Sequence, residues 1–165
     1  MNILLIRHAH AEDREVWNTG GHPDSFRPLT NKGRKKFHEA SSNLSKMIKT
    51  IDSVYSSQFT RAIETAEILK AFYKKTELNI TSSLNPDEDY RENDSLFNNF
   101  SAEQTVALIG HQPELGFWAS HLLGRHQDSL IRFKKGGVAY ISYFHGKGQL
   151  QWLITCNQLG ALKWS

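Results

Sequence analysis

Apolar positions along the chain fall into continuous runs and helically spaced series. Residues 2–6 and 105–110 ("TVALIG") are unbroken, as in strands buried on both faces of a sheet. "DSVYSS" (52–57) and "LNITSSL" (78–84) predict two further short strands. In "LTNKGRKKFHEASSNLSKMIK" (29–49), Phe37, Ala40, Leu44, Met47 and Ile48 recur at helical spacing behind Thr30, a suitable N-cap. "RAIETAEILKAFYKK" (61–75) places Ala62, Thr65, Ala66, Leu69 and Phe72 or Tyr73 on one helical face. "ELGFWASHLLG" (114–124) predicts a third, apolar helix. Beyond it, "LIRF" (130–133), "VAYISYF" (138–144) and "LQWLIT" (150–155) alternate as strands do, with turns at Gly136-Gly137 and "HGKGQ". Glu12 to Pro28 and the acidic "NPDEDYREND" (85–94) are loop-like. Strands alternating with helices, then closing hairpins, predict a single α/β domain over residues 1–165 with a mixed sheet.

Composition narrows the function classes. At 165 residues, 39% hydrophobic and 22% charged, the chain can bury a continuous core and is not of disordered composition. The formal charge of +3 comes from scattered cations. The one dense run, "KGRKKFH" (32–38), is read as a solvated helix face, so nucleic acid is not expected as a partner and an anionic ligand suits the charge equally well. The single cysteine, Cys156, excludes an internal disulfide; its strand-like apolar neighbours predict a core thiol. No run is long enough to span a membrane, and "NILLI" is too short for a signal peptide, so a cytoplasmic protein without a membrane partner is expected.

Candidate chemistry sits where strands end. The first strand runs into Arg7-His8, the strand at 105–110 into His111, and the strand at 52–57 leads to Arg61 at a helix start. In an open parallel sheet these groups gather outside the carboxyl ends of the strands, where ligands bind and helix N-termini favour anions. Three strands each delivering a basic group predict a phosphate site. His10, His22, His38, His121, His126 and His145 are read as structural, with His10 nearest the site. No helical His pair with a Glu is present and two arginines repel a divalent ion, so neither a metal nor another cofactor is expected.

"LLIRHAHAE", "SSQFTRAIETA" and "ALIGHQP" resemble three signatures of the histidine phosphatase superfamily, and "DSFRPLTNKG" (Asp24 to Gly33) is similar to a stretch of its short, phosphohistidine phosphatase-like members. The resemblance implies a three-layer, phosphoglycerate mutase-like domain: a central mixed, mostly parallel sheet with helices on both faces. It also implies catalysis by His8, Arg7, Arg61 and His111. His8 becomes phosphorylated, while Arg7, Arg61 and His111 bind the phosphoryl oxygens. The chain departs from the common pattern at Ala9, where Gly is usual. It also lacks a clear counterpart of the Glu that protonates the leaving oxygen in larger members; Asp87, Glu88 and Asp89 are candidates by position only.

Without a strong acid, a site is better suited to releasing imidazole than an alkoxide, because imidazole leaves with a pKa near ~6.5. The expected activity is therefore a metal-independent phosphatase acting on phosphohistidine in a phosphoprotein. The alternatives are a small-molecule phosphomonoesterase, in which one of those carboxyls serves as acid, and a non-catalytic phosphate-binding module.

Overall fold

β1 (Asn2–Arg7) lies inside a six-stranded sheet, and its unbroken apolar run follows from that position: Ile3, Leu4, Leu5 and Ile6 expose no surface. The structure, a computed structural model, describes residues 1–89, 96, 100–124 and 129–164. The remaining strands are β2 (Ser53–Ser57), β3 (Glu77–Thr81), β4 (Thr105–Gly110), β5 (Val138–Phe144) and β6 (Lys147–Ile154). Their order is β3-β2-β4-β1-β5-β6. The first four run parallel; β5 and β6 are antiparallel to their neighbours. The sheet is thus mixed and mostly parallel, as expected.

The pleat sends alternate residues of one strand into two cores. Leu4 and Ile6, with Val54, Ala107 and Ile109, pack against α2 (Asn31–Met47), α3 (Thr60–Lys70) and α5 (Cys156–Gly160). Ile3 and Leu5, with Val106 and Leu108, pack against α4 (Glu114–Leu122), where Trp118 is the largest buried side chain. Helices therefore cover both faces.

Several boundaries differ from the sequence reading. The loop from Glu12 to Pro28 contains α1 (Arg14–Thr19), whose first turn is capped by Asp13 Oδ1 accepting from Glu15 N and Val16 N. α3 stops at Lys70, before Phe72 and Tyr73. Residues 130–133 are not a strand: Ile131 and Phe133 are buried in the α4-side core, but the Phe133 backbone bonds to side chains, donating to Gln112 Oε1 and accepting from Arg7. Apolar alternation there reflects packing without a ladder. β6 begins at Lys147, so "HGKGQ" is half strand; the turn is His145-Gly146, both at positive φ. Cys156 is buried, but it opens α5, whose capping box joins Thr155 and Gln158. Residues 90–94 of the acidic segment and His126 lie outside the described residues.

Candidate active site

The parallel register brings the chemistry together. Arg7 pairs with Gly110 at the carboxyl ends of β1 and β4, so His8 and His111 follow on adjacent strands, their ring centroids 5.0 Å apart. β2 ends one strand further over at Ser57, and the short link to α3 delivers Arg61. Arg7, His8, Arg61 and His111 all line one cleft of about 760 Å³. Arg61, His8 and His111 are nonetheless almost fully buried. The four residues singled out from sequence are in one place.

His8 is held in one orientation. Its Nδ1 lies 2.7 Å from the Ala9 carbonyl, which can only accept, so the ring hydrogen sits on Nδ1 and Nε2 carries a free electron pair. Arg61 Nε donates to that Nε2 at 3.3 Å. Thr65 Oγ1 accepts from Ala9 N at 3.0 Å and donates to the Arg61 carbonyl at 2.6 Å, tying the residue after the histidine to the first turn of α3. The "RHA" and "RAIET" segments are thereby parts of one device.

Arg61 is oriented by Asp24. Nη2 lies 3.1 Å from Asp24 Oδ2, and Nη1 donates to the Asp24 carbonyl at 2.9 Å. Asp24 also accepts from Arg27 Nε at 2.7 Å. Its hydrogen bond from Arg27 and the charge of Arg61 hold its carboxyl below the usual range although burial opposes this. Burial lowers Arg61 to about 10, so it stays charged at neutral pH. Arg7 Nη1 donates to the Phe133 carbonyl at 2.8 Å, while its buried Nε has no partner.

His111 is fixed by a chain of hydrogen bonds. Asn85 Oδ1 accepts from Gln58 N at 2.9 Å and from Ser57 Oγ at 2.8 Å. Ser57 has one hydrogen to give, so at 2.9 Å from His111 Nε2 its oxygen accepts, and the His111 hydrogen sits on Nε2. Nδ1 is left buried and unpartnered. A phosphoryl oxygen can meet that lone pair only through a proton.

Both rings are neutral in the free site. Burial, with His111 and Arg61 nearby, pushes His8 well below its ordinary value; burial, with Arg61 and Arg7, pushes His111 down to about 3. A second positive charge about 4 Å from a guanidinium costs ~4 kcal/mol at an effective dielectric of 20, added to the under ~1 kcal/mol that protonating a free imidazole costs at pH 7. His8 is therefore available as a nucleophile at neutral pH.

Of the three acid candidates, only Asp87 lines the cleft. It sits at φ 68° and its N–H donates to Glu114 Oε1 at 3.0 Å. Glu114, overlooked in the sequence, lines the cleft from the start of α4, and its Oε2 is buried without a partner. Asp24, Ser57 and Asn85 were also overlooked; Asp24 lay in the quoted "DSFRPLTNKG" and Ser57 at a strand end. His10, read from the sequence as structural, lines the cleft as well. Among the described residues, no group of three or more His, Cys, Asp or Glu is placed to hold a metal ion, and no helix is long and apolar enough to cross a membrane.

The family model for the histidine phosphatase superfamily (branch 1) matches residues 3–86, from β1 through Arg61 to the end of the Asn85 turn. The chain belongs to the histidine phosphatase superfamily. An uncharacterized protein of Picosynechococcus sp. is 28% identical over 169 residues, covering 99% of this chain and 98% of its own. Among solved structures, the protein histidine phosphatase SixA complexed with tungstate is similar at a TM-score of 0.80 and 23% identity, over 94% of this chain and 97% of that one. The α-ribazole phosphatase of Shigella flexneri is similar at 0.69 and 19%, over 94% and 97% of the two chains. A phosphoserine phosphatase of Entamoeba histolytica in complex with 3-phosphoglyceric acid follows at 0.65 and 16%, over 96% and 98%. At these identities the superfamily likeness is one of fold.

Proposed function

We propose that this histidine phosphatase superfamily member is a metal-independent phosphatase that removes phosphate from phosphohistidine carried by a protein, through a covalent intermediate on His8. The observation that carries the reading is the His8 Nδ1–Ala9 carbonyl contact at 2.7 Å, which puts the ring hydrogen on Nδ1 and leaves Nε2 unprotonated, its lone pair held toward the cleft only by the long 3.3 Å bond from Arg61 Nε. The Nε2 electron pair forms the bond to phosphorus as the P–N bond breaks; its electron pair stays on the leaving nitrogen, and the substrate imidazole, already protonated at its other nitrogen, departs neutral. Arg7 and Arg61 neutralise the equatorial oxygens in place of a metal. Water then attacks phosphorus, the bond to His8 breaks, and phosphate leaves with His8 neutral again.

The phosphohistidine assignment is supported by leaving-group chemistry. Imidazole departs without a strong acid, an alkoxide does not, and of the candidate acids Asp87, Glu88 and Asp89 only Asp87 lines the cleft. One observation favours a second reading, a small-molecule phosphomonoesterase: the Glu114 carboxyl in the cleft, with Oε2 unpartnered. Assay of the purified chain against a phosphohistidine peptide, a phosphoserine peptide and an aryl phosphate tests the assignment. The proposal predicts turnover of the first and the third and little of the second. Phosphoserine turnover matching phosphohistidine contradicts it.

A further inference from the structure

Beside the cleft lies a second cavity, of about 370 Å³, for which the reaction has no use. Lys36 reaches it from α2, Lys134 and Lys135 from the turn before β5, and His10 from the loop after β1. His10 and Lys135 also line the phosphate cleft, so the two spaces share a wall. The Cys156 and Asn157 end of α5 completes the lining, and no carboxylate is part of it. By contrast, the phosphate cleft includes Asp13, Asp24 and Glu114 among its cations.

Surface lysines commonly splay into water or pair with a neighbouring acid. Here lysines from two separate elements converge on one concavity beside His10, and the carboxylates of Asp24 and Glu64 pair with arginines rather than with them. Among the described residues, Lys36 Nζ is bonded to the neutral Asn157 Oδ1, at 3.1 Å. Positive charge is crowded there: after burial, Lys135 is the largest influence lowering His10, with Lys36 acting the same way, while Arg7 and Arg27 press on Lys135 from the adjoining phosphate cleft. An anion in the cavity relieves that repulsion.

We propose that this cavity is an anion subsite that takes a carboxylate carried by the substrate beside its phosphoryl group, supplied by an acidic side chain flanking the phosphohistidine. The subsite follows from the cavity itself; the protein source of its carboxylate rests on the phosphohistidine reading above. The chemistry also fits a small phosphorylated acid, so the test has two arms. In the first, kcat and KM are measured for two phosphohistidine peptides differing only in Asp against Asn beside the histidine. In the second, an alkyl phosphonate and the same phosphonate with a terminal carboxylate compete with an aryl phosphate. Both arms use the full chain and its Lys36→Gln, Lys134→Gln double variant.

The subsite predicts a KM roughly tenfold lower for the acidic peptide, as two screened charge contacts supply, with kcat little changed. That preference disappears in the double variant and shrinks as salt is raised. Preference confined to the carboxylated phosphonate assigns the anion to a small molecule and overturns the acidic-flank assignment. No preference in either arm, or a preference that survives the double substitution, overturns the subsite. Failure of both peptides with aryl phosphate still turned over refutes the phosphohistidine reading instead, and the phosphonates then decide the subsite.

Discussion

Asp24 Oδ2 stands 3.1 Å from Arg61 Nη2, and the Asp24 carbonyl takes Nη1 of the same guanidinium at 2.9 Å. A carboxylate in a phosphate cleft works against anion binding, so its value lies in aiming Arg61. The two effects separate kinetically. Asp24→Asn is expected to lower kcat by about tenfold, part of the ~3 kcal/mol that one preorganised donor supplies, while inhibition by inorganic phosphate stays as strong or tightens. Weakened phosphate inhibition with kcat intact contradicts an aiming role.

The acid question is settled by leaving group. With imidazole leaving, Glu114→Gln, Asp87→Asn, Glu88→Gln and Asp89→Asn are each expected to change the phosphohistidine rate less than about threefold. The parent is expected to be slow on an alkyl phosphomonoester. A positioned general acid contributes ~10²–10⁴-fold. A collapse of that size on the ester in Glu114→Gln, from a high parent rate, favours the phosphomonoesterase reading.

The buried histidines make stability depend on pH. His111 is held down to about 3 and His8 well below its ordinary value, so between those values and ~6.5 the unfolded chain binds protons that the folded chain refuses. Stability is therefore level above pH ~6.5 and lost as pH falls below it, at up to ~1.4 kcal/mol per pH unit for each ring. Thermal melts from pH 8 to 5 are expected to show this fall, and His111→Asn to reduce it. An unchanged slope in that variant contradicts neutral burial of His111.

Residues at strand ends were legible from sequence because two signals coincide there: an apolar run and the basic residue that stops it. Arg7, His8 and His111 carry that mark, and Arg61 opens a helix behind a third strand. Asp24 does not. Its contact with Arg61 spans 37 residues of chain from a Gly- and Pro-rich loop, where periodicity is silent. The group fixing the His8 tautomer is the main-chain carbonyl of Ala9, which no side-chain pattern marks. "LIRF" misled for a related reason. Alternation reports burial of Ile131 and Phe133, whereas strand pairing depends on where the backbone hydrogen bonds go, and here they go to Gln112 and Arg7.

Trapping the intermediate shows whether His8 carries the phosphoryl group during turnover. Phosphohistidine substrate labelled in the phosphoryl group is mixed with the enzyme, quenched rapidly in base, and the labelled peptide is mapped. The account predicts an acid-labile, base-stable phosphate on His8, absent in His8→Ala, whose melting temperature stays close to the parent's. Label on His10 or His111, or steady turnover in His8→Ala, contradicts it.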